Sequence, residues 1–119
     1  MSERDPQTAG VKLQAAITRM CSPDSFYWSC RDAEGLNLDE SHEVETRLDI
    51  DPQRISTFAA PAGWKIVHTK PNGMVFMRRK QPLTDEAVRG MFVEMLTIAV
   101  AHDGQFYSWM HEPDLAAWD

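Results

Sequence analysis

With 119 residues, 12 Lys and Arg against 18 Asp and Glu, and a formal net charge of −6, the chain is long enough for one domain and short for two independent cores. Its 43% hydrophobic and 25% charged residues describe a globular rather than a disordered chain, and no run approaches the roughly 20 apolar residues of a membrane span. The acid excess argues against general nucleic-acid binding, which needs a Lys/Arg surplus on some face, and suits docking onto a basic partner.

Residues 1–43 read as an N-terminal extension. A helix is predicted from Pro6 to Met20, capped by Asp5, with Leu13, Ala16, Ile17 and Met20 as its apolar stripe. Ser22-Pro23-Asp24 breaks it. Phe26-Tyr27-Trp28-Ser29-Cys30 predicts an aromatic strand or hairpin, and Arg31 to Glu40 a polar loop.

From Val44 the pattern is regular. Val44, Thr46, Leu48 and Ile50 alternate with Glu43, Glu45, Arg47 and Asp49, which predicts a strand with one face on the core and one in water. Asp51-Pro52 starts a short helix whose inward residues are Ile55, Phe58 and Ala59, and Pro61 and Gly63 end it. Strands follow at Trp64–Thr69 and Met74–Arg79, joined through Asn72-Gly73, a hairpin signal because both residues tolerate positive φ. Thr84 opens a long helix with Asp85 and Glu86 in its first turn and Val88, Met91, Phe92, Met95, Ile98 and Ala99 at helical spacing. Asp103-Gly104 closes it with a left-handed cap. Gln105 to His111 is the last strand, with Phe106 and Met110 expected opposite Tyr107, Trp109 and His111. Residues 113–119 form a tail carrying Leu115 and Trp118.

The order over 44–112 is β-α-β-β-α-β. It predicts an α+β, ferredoxin-like antiparallel sheet with two helices on one face and the strand order fourth, first, third, second.

The stretch from about Val44 to Trp109 resembles the regulator of ribonuclease E activity B family. The residues that carry the resemblance are Leu48-Asp49-Ile50-Asp51, Ala62-Gly63-Trp64, the helix from Asp85, and Ala101-His102-Asp103-Gly104-Gln105-Phe106-Tyr107-Ser108-Trp109. The resemblance implies a ferredoxin-like fold and a non-enzymatic protein that binds and restrains another protein. Domains of this kind also look like immunity proteins of bacterial toxin systems.

The chemistry-bearing residues support no stronger motif. His42, His68, His102 and His111 fall on separate predicted elements with no HxH or HExxH spacing, so no metal site is expected. Cys21 and Cys30 form no CxxC pair and read as free thiols in a reducing compartment. The polar, acid-bearing start MSERDPQTAG reads as neither a signal nor a transit peptide, so a cytoplasmic location is expected. Glu43, Glu45 and Asp49 read as a solvated strand face rather than a catalytic pair, and no GxGxxG cradles a phosphate. No cofactor and no catalytic residue is expected. Arg78-Arg79-Lys80 after Phe76 is a faint echo of strand-borne RNA recognition, and an RNA-binding module is the alternative.

The expected activity is inhibition of a nuclease or toxin-type enzyme with a basic surface. The expected partner-binding residues are the acids Glu43, Glu45, Asp49, Asp103 and Glu112, with Tyr107 and Trp109 as aromatic anchors.

Overall fold

The computed structural model describes residues 6–22, 24–31 and 35–111. Asp5, Pro23, Glu112 and the tail with Leu115 and Trp118 lie outside the described residues. Two helices, α1 (Pro6–Met20) and α2 (Phe26–Ser29), precede strand β1 (His42–Asp49). A 3-10 helix (Pro52–Thr57) leads to the hairpin β2 (Lys65–Thr69) and β3 (Met74–Gln81), then helix α3 (Asp85–Ala101) and strand β4 (Gln105–His111).

The four strands form one antiparallel sheet in the order β2-β3-β1-β4. β1 and β3 are the two inner strands, and β1 alternates strictly between buried and half-buried residues. Val44, Thr46 and Leu48 lose all solvent contact on the inner face, while Glu43, Glu45, Arg47 and Asp49 stay half-buried on the outer face. On β3, Val75 and Met77 sit opposite Leu48 and Thr46 and are equally buried. Helix α3 lies over this inner face and buries Val88, Met91, Phe92, Met95, Leu96 and Ala99. Helix α1 packs beside α3 and contributes Met20 to the same core.

The turns follow from specific backbone needs. The Gly73 N–H bonds the Lys70 carbonyl (3.0 Å) and the Lys70 N–H bonds the Met74 carbonyl (2.9 Å). Only Gly73 of the Asn-Gly pair has positive φ (105°); Asn72 instead accepts the Met74 N–H through its side chain (3.3 Å). Thr84 caps α3 by accepting the Ala87 N–H at 3.2 Å. At the other end Asp103 takes the left-handed conformation (φ 53°). The Gly104 N–H reaches the Ala99 carbonyl (2.8 Å) and the Asp103 N–H the Val100 carbonyl (3.4 Å), a Schellman closure. Gly104 is required for a steric reason. A Cβ there would overlap the Asp49 carbonyl oxygen, so the glycine lets the α3–β4 turn press against the end of β1.

Three expectations are corrected. The aromatic run at Phe26 is not a strand but the helical turn α2. Ser25 caps it, accepting the Trp28 N–H (3.4 Å) and donating to the Met20 carbonyl (2.6 Å). A strand would send Tyr27 and Trp28 to opposite faces. The helical turn lets both rings meet Phe92, at 6.0 and 5.2 Å between centroids. The first crossover is a six-residue 3-10 helix, and Ala59 is exposed where Ile55 and Phe58 pack against the core. On β4 strict alternation fails. Arg47 pairs with Ser108 but Leu48 with Phe106, so Tyr107 is an extra, bulged residue. Beyond the bulge the sides exchange, and Phe106, Trp109 and His111 all turn inward while Tyr107 stays outside.

Candidate functional site: the outer face of the sheet

The inner face is closed by helices, and the outer face is a separate layer. None of its apolar residues Met74, Phe76, Tyr107 and Met110 belongs to the core cluster or packs against it. The face is set by register. β1 contributes Glu43, Glu45, Arg47 and Asp49, and β3 brings Arg78 opposite Glu45 and Phe76 opposite Arg47. The β4 bulge adds Tyr107, which is 48% exposed.

These charges interlock. Arg78 forks between two carboxylates of β1, from Nε to Glu45 Oε1 at 2.9 Å and from Nη1 to Glu43 Oε1 at 3.3 Å. Arg47 grips Asp49 with two bonds, 3.0 Å from Nε and 3.2 Å from Nη2. The same guanidinium lies over the Tyr107 ring, its Cζ 3.7 Å from the centroid. Half-exposed pairs of this kind add only about 0.2–1 kcal/mol each. Their larger effect is positional. Two arginines hold three carboxylates and one phenol ring in fixed places, which lowers the ordering cost of binding through them. Along β1 itself the three acids outnumber Arg47 by two, and across the face Arg78 and Lys80 of β3 stand opposite them, with Lys65 of β2 beyond, so the acids lie in a strip flanked by bases.

Four of the expected partner-binding residues therefore share this face: Glu43, Glu45, Asp49 and Tyr107. Asp103 stands at its rim. It pairs with Arg54 (3.1 Å) and shares with Asp49 and Asp51 an open depression of about 490 Å³ at the end of β1. Trp109 does not join them. Its ring is 3% exposed, its Nε1–H donates to the Tyr27 carbonyl at 2.7 Å, and it packs on Phe92. It is a core ring, and the expectation that it anchors a partner is corrected by the bulge. Glu112 lies outside the described residues. Sequence reading did not place Arg47 or Arg78 in the site. Arg47 was visible in the outward set of β1, whereas the pairing of Arg78 depends on the β1–β3 register.

The histidines are dispersed. His42 contacts the Asn37 carbonyl (2.8 Å) and His102 the Ile98 carbonyl (2.9 Å), while His68 sits against Phe76 and His111 against Trp109. Among the described residues no three His, Cys, Asp or Glu side chains converge as a metal site. Both cysteines are free thiols. Burial pushes the Cys30 thiol up, partly opposed by a backbone hydrogen bond from Trp109. Burial also raises the Tyr27 phenol, with Cys30 and Tyr107 adding to the shift. Phe76, Arg78 and Lys80 do lie on the outer side of β3, where Arg78 is taken up by Glu43 and Glu45 of the next strand. No helix among the described residues is long and apolar enough to cross a membrane.

In comparison with known proteins, the chain matches no family model, no curated protein and no solved structure.

Proposed function

We propose that this chain is a ferredoxin-like, non-enzymatic regulator that binds a basic protein through the outer face of its sheet. The observation that carries the reading is the gathering of Glu43, Glu45, Asp49 and Tyr107 on the face of the sheet opposite α3, pre-positioned by Arg47 and Arg78. A partner's lysines or arginines compete for the carboxylates, and the exposed half of Tyr107 supplies an aromatic contact at low entropic cost. The charges speed encounter, and the ring slows release. A nuclease or toxin-type enzyme is the fitting target class, because an active surface that handles an anionic substrate is basic. Occlusion of that surface is the inhibitory step, as the resemblance to regulators of ribonuclease E activity and to immunity proteins also suggests.

The test compares tagged chain with Tyr107→Ala and Glu45→Lys variants of confirmed fold. Each is used to capture proteins from native lysate, and any basic enzyme captured is assayed with and without the chain. The reading requires a protein bound by the parent, weakened in both variants, and inhibited stoichiometrically. Equal capture by all three chains, or a gel shift with RNA at moderate salt that both variants retain, refutes it.

A further inference from the structure

The helix side of the molecule carries another concavity, which meets the depression at the end of β1 at Gly104 and Gln105. A groove of about 560 Å³ opens between α1, α2, the C-terminal half of α3 and the start of β4. That volume lies within the range of small-molecule sites, about 300–1,000 Å³. Its walls are apolar: Ala15 and Ala16 on one side, Leu96, Ala99 and Phe106 on another, with the 63% exposed ring of Phe26 at the mouth. The alanines leave the space open where larger residues would fill it.

The hydroxyls in the lining are already committed. Ser25 donates to the Met20 carbonyl (2.6 Å) and Tyr27 to the Phe106 carbonyl (2.7 Å). The charged group in the lining is Arg19. Arg31, Arg47, Arg54, Arg78 and Arg79 each pair with an acid. Arg19 has no acidic partner among the described residues.

We propose that this groove binds a small amphipathic anion, an aliphatic carboxylate whose apolar chain lies along Ala15, Ala16, Leu96 and Phe106 and whose carboxylate pairs with Arg19. The net charge of −6 works against indiscriminate anion adsorption, so saturable binding of such a molecule needs a local cation beside apolar surface. Arg19 at the lip of this groove supplies both conditions in one place.

Decanoate is the probe, titrated calorimetrically into the full chain, with decanol as its uncharged counterpart. Saturable 1:1 binding of decanoate is expected. Arg19→Gln should weaken decanoate by about tenfold, the loss of one charge-assisted pair, and leave decanol unchanged. Ala15→Phe, at an exposed helix position, should block both. Absence of saturable binding overturns the proposal, as does equal affinity for decanoate and decanol, or decanoate affinity indifferent to Arg19→Gln. A concentration-dependent dimer in sedimentation that Ala15→Phe abolishes also overturns it, by assigning the groove to a second copy of the chain.

Discussion

The bulge in β4 makes a sharp claim about two neighbouring aromatic residues. Under strict alternation Tyr107 and Trp109 would share a side; with Tyr107 bulged, Trp109 is core and Tyr107 is surface. Replacing Trp109 by Phe removes the donor to the Tyr27 carbonyl and leaves a void beside Phe92, where the indole packs at 6.1 Å between centroids. A lost buried hydrogen bond costs about 1 kcal/mol, and the partial cavity about 1–2 kcal/mol more. The sum is about 2–3 kcal/mol, or a fall in Tm of roughly 6–15 °C for a chain of this size. Tyr107→Ala removes a half-exposed ring and its stacking with Arg47, worth about 1 kcal/mol. Urea denaturation followed by far-UV circular dichroism, with equal m-values required, measures both. If Tyr107→Ala is the more destabilising of the two, the register across β1 and β4 is wrong and the outer face loses its aromatic residue.

Three further outcomes follow from single features. The Thr46 hydroxyl is fully buried and has no hydrogen-bond partner among the described residues, so Thr46→Val should raise stability by about 1 kcal/mol in the same urea assay; a loss instead would mean that the hydroxyl is paired. Gly104→Ala, which drives a methyl into the Asp49 carbonyl, should cost about 1–3 kcal/mol and broaden the amide resonances at the end of β1 in NMR spectra. Because folding raises the pKa of both Cys30 and Tyr27, the unfolded chain loses those protons first. The stability from their neutral forms is complete below pH of about 9 and declines as pH climbs through the folded values. Thermal melts across pH 8–11 should fall faster than those of Cys30→Ala, and an equal decline would remove Cys30 from the account.

The parts of the fold that could be read from the sequence are those where burial and period agree. β1 alternates without interruption and α3 repeats one apolar stripe over 17 residues, so both declare their inner faces locally. The sheet order also came through, because the hairpin at Gly73 and the position of α3 leave few ways to connect four strands. What failed was decided by tertiary contact. Phe26, Tyr27 and Trp28 have strand-type side chains, yet Ser25 capping and three-dimensional access to Phe92 make them helical, and the cap was the local clue. The acids of the candidate site were found from the alternation of β1. Their arginine partner on β3 was not, since a cross-strand neighbour exists only once register is set.

The bulge also explains how one edge strand serves two layers. Without it, Phe106 and Trp109 would face opposite sides, and β4 could either fill the core or present an aromatic surface, but not both. One inserted residue turns Phe106, Trp109 and His111 together onto the core and leaves Tyr107 projecting beside Arg47. The shift falls between Arg47 and Leu48, next to the guanidinium that then covers the ring. The Arg47–Tyr107 stack is therefore a consequence of the same irregularity that buries Trp109. Deleting Tyr107 would remove the bulge and leave Phe106, Ser108 and Trp109 against the Leu48, Arg47 and Thr46 partners they already have, so the deletion, like Tyr107→Ala, should spare the core in urea denaturation and weaken outer-face binding; a core loss of the size expected for Trp109→Phe would show that the register is not that of a single inserted residue.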